Sequence, residues 1–158
     1  MLLFKKILCP IDFSEPSYKA LKAAEELADE FSAELIVVHV LSPAQAFPSA
    51  SVTLPGEPAT NEVFFDDMRD KIESHANESM KMTIEKRISR GINSRGVILN
   101  GSPAEEITGY AEDSHVSIII LGTHGFTGWR HILLGSVAEK VVRLSLCPVL
   151  TIPAHEEE

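Results

Sequence analysis

Short, continuously apolar runs alternate along this chain with longer segments whose apolar residues recur at helical spacing. The apolar runs are rich in isoleucine and valine and lie at 6–12, 34–40, 96–100, 117–122 and 147–152. Continuous apolar runs of this length are typical of strands that are covered on both faces, as in a parallel sheet. We therefore predict five buried parallel strands separated by helices.

Four segments between these runs carry the periodicity of helices. They cover about 14–31, 61–90, 102–114 and 136–145. In the first, Ser14 is a predicted N-cap and Pro16 lies in the first turn. The second has apolar residues four apart, and these drift around a helix of 3.6 residues per turn. We expect this long helix to bend or fray, and to end at Gly91.

The order of these elements predicts an α/β protein with an open, doubly wound sheet and helices on both faces. Right-handed crossovers and one reversal of direction give the five parallel strands the order 3-2-1-4-5. All 158 residues are expected to form a single domain. The irregular segment 41–60 is rich in proline and small residues, which indicates a flexible surface loop, with partner binding as the alternative.

Charge and composition exclude several classes of protein. The chain has 14 basic and 23 acidic residues without a basic cluster, which disfavours nucleic-acid binding. Lys5 and Lys6 interrupt the N-terminal apolar run, so it does not resemble a signal peptide, and no run reaches the ~18 residues of a membrane span. Cys9 and Cys147 lack the spacing of a redox or zinc pair, which indicates packed thiols. We expect a cytoplasmic protein without a membrane partner.

A glycine-rich stretch, GTHGFTGWRHILLGS, occupies residues 122–136 between the fourth strand and the last helix. In the predicted strand order the chain reverses direction between strands 1 and 4, and ligands of open α/β sheets bind beyond the carboxyl ends of such strands. Strand 1 ends at Pro10, Ile11 and Asp12, and strand 4 ends at Gly122. We expect these two places to form one site.

The function of the glycine-rich stretch has two interpretations from the residues alone, since it is neither a Walker A loop nor a GxGxxG motif. In the first, Gly135 and Ser136 open the last helix and its free N–H groups bind a phosphate. In the second, Ser136 and Glu139 form a capping box and the glycines are turns. Arg130 either pairs with a terminal phosphate or is solvated. Trp129 either covers the ligand or packs on the protein.

The chain resembles the universal stress protein family, in particular its ATP-binding branch. The matching segments are KKILCPIDFSEPSYKAL, LIVVHV, GSPAEEI and IIILGTHGFTG…LLGSVAEKVVR…CPVL. The most specific element is the pattern G-x2-G-x9-G-S, which Gly122, Gly125, Gly135 and Ser136 fulfil. The resemblance implies an adenine nucleotide alpha hydrolase-like fold and ATP as the ligand.

The resemblance also implies which residues contact ATP. Pro10, Ile11 and Asp12 would lie at the adenine and ribose end, and the backbone of Val40 would contact adenine. Asp12 has a second predicted role as a cap in the turn before the first helix. The ribose and phosphates would be held by residues of the glycine-rich stretch: Gly122, Thr123, His124, Gly125, Phe126, Thr127, Gly128, Arg130, Gly135, Ser136 and Val137.

Dedicated catalytic chemistry is not apparent in this stretch, because no Asp, Glu or Lys occurs within 122–136. Any Mg²⁺ would be held mainly by the phosphates, with help from Asp12 or Ser136. No metal-binding motif is present, so three histidines are interpreted as hydrogen-bonded residues: His39, His124 and His131. The sequence thus predicts an ATP-binding signalling or stress-response module with at most slow hydrolysis.

The alternative function is a non-catalytic dimeric scaffold of the same fold that has no nucleotide requirement. In the family that the chain resembles, the last strand pairs across a homodimer axis. An exposed apolar sheet edge also favours pairing on physical grounds. Val149, Leu150 and Ile152 are therefore expected at the interface of a homodimer.

Overall fold

The computed structural model describes residues 3–43, 62–123 and 134–154. Its strands are β1 Lys6–Pro10, β2 Glu34–Leu41, β3 Ser94–Asn100, β4 Ile118–Gly122 and β5 Val149–Ile152. They form one five-stranded sheet in the order β3-β2-β1-β4-β5, and every neighbouring pair is parallel. This confirms the predicted fold class and strand order. The predicted loop at 41–60 lies outside the described residues from position 44 onward.

The helices are α1 Glu15–Phe31, α2 Glu62–Arg87, α3 Pro103–Asp113 and α4 Ser136–Leu144. The predicted start of α1 is confirmed, because Ser14 is its N-cap and accepts a hydrogen bond from the Ser17 N–H at 3.4 Å. The prediction that α2 runs to about Arg90 and is stopped by Gly91 is wrong, since the helix ends at Arg87. The Ser89 N–H donates to Glu25 Oε1 of α1 at 2.7 Å, which draws the chain away from the helix axis before Gly91.

Alternating side chains of the strands form two apolar layers, one on each face of the sheet. The strands contribute to the layer beneath α1 and α2 with Ile7, Cys9, Leu35, Val37 and Ile120. They contribute to the layer beneath α3 and α4 with Leu8, Ile36, Val38, Ile119 and Leu121. Because both faces are covered, the central strands have no polar alternation, which is why they appear as continuous apolar runs in the sequence.

Both cysteines are free, as predicted for packed thiols. Cys9 lies in β1 at 0% exposure, and this burial raises the pKa of its thiol far above the usual range. Cys147 is half-buried just before β5, where the Ser145 hydroxyl donates to its carbonyl oxygen at 2.8 Å. The Cys9 side chain therefore functions as a small apolar core residue.

Helix α2 packs against the sheet at Gly96 of β3. A Cβ atom at this position would overlap Met80 Cγ and would lie 3.0 Å from Ile84 Cδ1. Met80 is 4% exposed, so its side chain occupies the space that a residue other than glycine would need. The absence of a side chain at Gly96 thus sets how closely α2 approaches β3.

Candidate functional site

A cleft of about 520 Å³ opens at the carboxyl ends of β1, β2 and β4, beside the first turns of α3 and α4. Every predicted site residue that the structure describes lines it: Pro10, Ile11, Asp12, Val40, Gly122, Thr123, Gly135, Ser136 and Val137. The other predicted site residues lie outside the described residues: His124, Gly125, Phe126, Thr127, Gly128 and Arg130. Trp129 and His131 lie there too. The sheet thus brings together the two predicted places, which are the carboxyl end of β1 and the carboxyl end of β4.

The turn after β1 places Asp12 in the cleft. Asp12 Oδ1 accepts hydrogen bonds from the Ser14 N–H at 3.0 Å and from the Ser14 hydroxyl. Between them, Phe13 has a φ of 62°, in the left-handed region that residues with a Cβ rarely adopt. The two hydrogen bonds hold the turn in this conformation, which confirms the predicted capping role of Asp12. They leave its Oδ2 without a hydrogen bond to the described residues.

The end of β2 forms a second wall of the cleft. The Ile11 N–H donates to the Val38 carbonyl at 2.8 Å, which continues the pairing of β1 and β2 to the rim. His39 Nδ1 lies 2.8 Å from the Ile11 carbonyl and acts as the donor, because a carbonyl only accepts. His39 is thus hydrogen-bonded, as predicted. Val40 is 8% exposed and lines the cleft next to these contacts.

The two ends of the glycine-rich stretch meet at the mouth of the cleft. The Thr123 N–H donates to the Ile152 carbonyl at 2.9 Å, and the Thr123 carbonyl accepts from the Gly135 N–H at 2.6 Å. Thr123 and Gly135, the two described ends of this stretch, therefore lie next to each other. Both line the cleft together with Asp12.

Helix α4 begins at the mouth of the cleft without a side-chain cap. Its N-cap is Gly135, and no side chain of the described residues forms a capping hydrogen bond with its first turn. The capping-box interpretation is wrong, because Ser136 is the first helical residue and lies one position too late to be the N-cap. The Glu139 side chain contacts Arg143 at 3.3 Å instead. The uncapped N–H groups and the positive end of the helix dipole are thus available to an anion.

Among the described residues that line the cleft, positive charge comes from backbone N–H groups and not from basic side chains of Lys or Arg. Asp12 is the one carboxylate among the described residues that line the cleft, and no Lys or Arg belongs to that set. Within the described ranges, no three His, Cys, Asp or Glu side chains are grouped so that they could hold a metal ion. An anion bound here would be held mainly by N–H groups.

The family model of the universal stress protein family matches residues 3–153 of this chain. The chain belongs to the universal stress protein family. Universal stress protein YxiE of Bacillus subtilis is 37% identical to it, over 95% of this chain and 99% of that protein. The resemblance predicted from the sequence is therefore confirmed.

Solved structures of universal stress proteins have the same fold. Protein MJ0577 of Methanocaldococcus jannaschii superposes with a TM-score of 0.82 at 33% identity, covering 98% of this chain and 99% of that one. A universal stress protein from Archaeoglobus fulgidus in complex with dAMP has a TM-score of 0.61 at 22% identity, covering 96% and 99%. The second likeness shows the fold alone.

Sequence reasoning missed the part of this universal stress protein's cleft that comes from the helices. Ser17 of α1 and Pro103 and Ile107 of α3 also line it. Pro103 lies in the segment GSPAEEI, directly after the carboxyl end of β3, so the sequence alone could have placed it at this edge of the sheet. Among the helices that the structure describes, none combines the length and apolar composition that a membrane span requires.

Proposed function

We propose that this universal stress protein binds ATP in the cleft and acts as a nucleotide-dependent stress-response or signalling module. The observation that carries the proposal is the uncapped start of α4, which lies at the same cleft as Asp12 and Val40. A helix N-terminus with free N–H groups is a favourable site for phosphate. A nearby carboxylate and an apolar wall are favourable for ribose and adenine.

The adenosine end of the ligand is proposed to lie on the β1 and β2 side. Ile11, Val38 and Ile107 provide apolar surface, and the backbone of Val40 provides polar groups for the edge of adenine. Asp12 Oδ2 can accept hydrogen bonds from the ribose hydroxyls, since Ser14 occupies only Oδ1.

The phosphates are proposed to lie against Gly135, Ser136 and Val137 at the start of α4. Asp12 is the one carboxylate among the described residues that line the cleft, so a Mg²⁺ ion would be held mainly by the phosphates and water, with help from Asp12 or Ser136. These residues include no carboxylate other than Asp12 that could act as a general base, and phosphoryl transfer needs a positioned base or acceptor. We therefore expect slow hydrolysis at most.

Nucleotide content is the first test of this proposal. The purified protein is denatured, the released small molecules are separated by anion exchange, and Mg·ATP is titrated into any empty protein. We expect ATP to be carried or taken up near one molecule per chain. A protein that is empty and takes up no Mg·ATP would contradict the proposal and favour the scaffold function.

The cellular compartment is part of the same proposal. Cys9 and Cys147 are both free, and free thiols are typical of proteins in a reducing compartment. We therefore infer that the protein acts in the cytoplasm.

We also propose that the chain forms a homodimer through β5. Leu150 in this strand is 38% exposed, whereas Val149 and Ile152 pack partly against the two apolar layers. Leu146 is 82% exposed and Leu144 is 45% exposed, and both directly precede this strand. Large exposed apolar side chains beside a sheet edge favour pairing with a second copy.

Replacing Leu146 with aspartate is expected to convert the dimer into a monomer, because a carboxylate at an apolar interface would lose its hydration without a partner. Sedimentation velocity over a range of concentrations measures the change. The control is Leu3→Asp, since Leu3 is 57% exposed and precedes β1, the central strand of the sheet, and not the edge strand β5. A wild-type protein that is monomeric at all concentrations, or an equal effect of Leu3→Asp, would contradict this interface.

A further inference from the structure

A second cavity, of about 670 Å³, lies on the α1 and α2 face of the sheet. Its walls are mainly apolar and include Phe13, Tyr18, Leu41, Met68, Ile72 and Met82. Its volume is within the range of small-molecule sites, about 300–1,000 Å³. His39 is the one residue that lines both this cavity and the nucleotide cleft. We call this second cavity the α2 pocket.

The apolar residues of α2 separate into two sets with different roles. Met80, Ile84 and Ile88 contact the core layer beneath α1 and α2 or belong to it. Met68, Ile72 and Met82 line the α2 pocket instead, and Met68 and Met82 remain 37% and 44% exposed. Methionine side chains adapt their shape to a bound apolar group, and they recur at surfaces that bind flexible ligands. Met68, Ile72 and Met82 thus form apolar surface that does not pack against the core.

Basic side chains line the α2 pocket, although the chain as a whole carries a net charge of −9. Lys71, His75, Lys86 and Arg87 line it, and no Asp or Glu belongs to the described lining residues. An apolar cavity with basic lining residues and no acidic ones is complementary to a ligand with one apolar end and one anionic end.

Two of these four side chains have partners of their own. Lys71 Nζ donates to Asp67 Oδ2 at 2.8 Å. The Arg87 guanidinium lies 3.6 Å above the Tyr18 ring, and its Nη2 is 3.6 Å from a carboxylate oxygen of Glu15. Lys86 and His75 make no hydrogen bond or ion pair with the described residues. Lys86 is therefore the fixed positive charge in the lining that lacks an anionic partner there.

We propose that the α2 pocket binds a fatty acid, with the acyl chain along the apolar walls and the carboxylate at Lys86. The acyl chain of a fatty acid would contact the apolar lining, and its terminal carboxylate would pair with the positive charge of Lys86. The proposal is independent of nucleotide binding, since the two cavities share only His39.

Chain length and head-group charge of the ligand provide the first test. Saturated fatty acids of 8, 10 and 12 carbons are titrated into the full-length protein below their micelle concentrations, with isothermal calorimetry as the readout. We expect one molecule per chain and a Kd that falls about fourfold for each added methylene. Dodecanol, which has the same chain without the charge, is expected to bind more weakly than dodecanoate. A Kd that does not depend on chain length, or no saturable binding, overturns the proposal.

Charge reversal within α2 provides the second test, with a matched control. Lys86→Glu is expected to weaken dodecanoate binding by about tenfold, because an attractive charge becomes a repulsive one. Lys81→Glu makes the same change of charge on the same helix at a residue that contacts Glu85 and does not line the pocket, so it is expected to have little effect. Circular dichroism verifies that both variants are folded, and Mg·ATP uptake is expected to be unchanged in both.

Two outcomes of these experiments overturn the fatty acid as the occupant. Equal weakening by Lys81→Glu and Lys86→Glu would reflect the net charge of the protein and not a site. Dodecanoate binding that appears only after residues 45–59 are replaced by a glycine-serine linker would assign the pocket to that segment of the chain.

Discussion

We expect the Ser136→Glu variant to lose ATP affinity by about 100-fold or more while keeping its fold. Ser136 is the first residue of α4 and lines the nucleotide cleft. Two like charges about 4 Å apart near a protein surface repel each other by about 4 kcal/mol. The same carboxylate is favourable for the helix itself, because an acid in the first turn stabilises a helix by about 0.3–1 kcal/mol. Affinity and stability are therefore expected to change in opposite directions.

Two neutral substitutions at the same position separate charge from size. Ser136→Gln has nearly the shape of glutamate without its charge, and Ser136→Ala removes only the hydroxyl group. Loss of one hydrogen bond of about 0.5–1.5 kcal/mol corresponds to at most about a tenfold loss of affinity. Calorimetric titration with Mg·ATP and thermal unfolding measure the two effects. An equal loss of ATP affinity in the Ser136→Gln and Ser136→Glu variants would indicate a steric effect. Unchanged ATP affinity in the Ser136→Glu variant would show that α4 does not hold the phosphates.

The second large effect is expected on stability, at the contact between α2 and β3. Gly96→Ala is expected to lower the free energy of unfolding by about 1–3 kcal/mol, because the new methyl group overlaps Met80 Cγ in a packed layer. For a chain of this size, each kcal/mol corresponds to roughly 2–4 °C in Tm. Urea unfolding followed by circular dichroism measures the change.

The matched control is another glycine-to-alanine substitution, at Gly109 in α3. An added Cβ there meets no atom within 4 Å, so Gly109→Ala is expected to stabilise the helix by about 0.5–1 kcal/mol. Met80→Ala opens space at Gly96. The double variant Gly96→Ala, Met80→Ala should therefore lose less free energy of unfolding than the two single variants together, by about 0.5 kcal/mol or more. Strict additivity would show that the two residues do not compete for the same space.

The sheet was predictable from the sequence because its strands are covered on both faces. In the central strands β1, β2 and β4 the side chains alternate between two apolar layers, so these strands are largely continuous apolar runs, and chain connectivity then restricts the strand order to few possibilities. Helix boundaries were less predictable where distant residues decide them. The early end of α2 depends on Glu25, which is 64 positions from its partner Ser89.

The cleft at the carboxyl ends of β1, β2 and β4 was partly predictable, since the reversal of strand order identifies one edge of the sheet whatever the motif. The start of α4 at Ser136 was predicted to the residue. The hydrogen bond between the Gly135 N–H and the Thr123 carbonyl, which joins this start to the end of β4, is contained in no local pattern. The α2 pocket was also unpredictable. The apolar residues four apart in α2 form one series in the sequence, and only tertiary packing separates Met68 and Ile72 from Met80 and Ile84.

The central position of β1 has a consequence for how the chain is made. The first three strands emerge from the ribosome in the order in which they pair, so β1, β2 and β3 can assemble while synthesis continues. The opposite edge of β1 pairs with Ile118 and Ile119, and these follow only about 100 residues later. At about 5–20 residues per second, the nascent chain carries an open apolar edge at Ile7 and Leu8 for roughly 5–20 s. Translation rate and chaperone access during that interval therefore set how much of the newly made protein reaches the finished sheet.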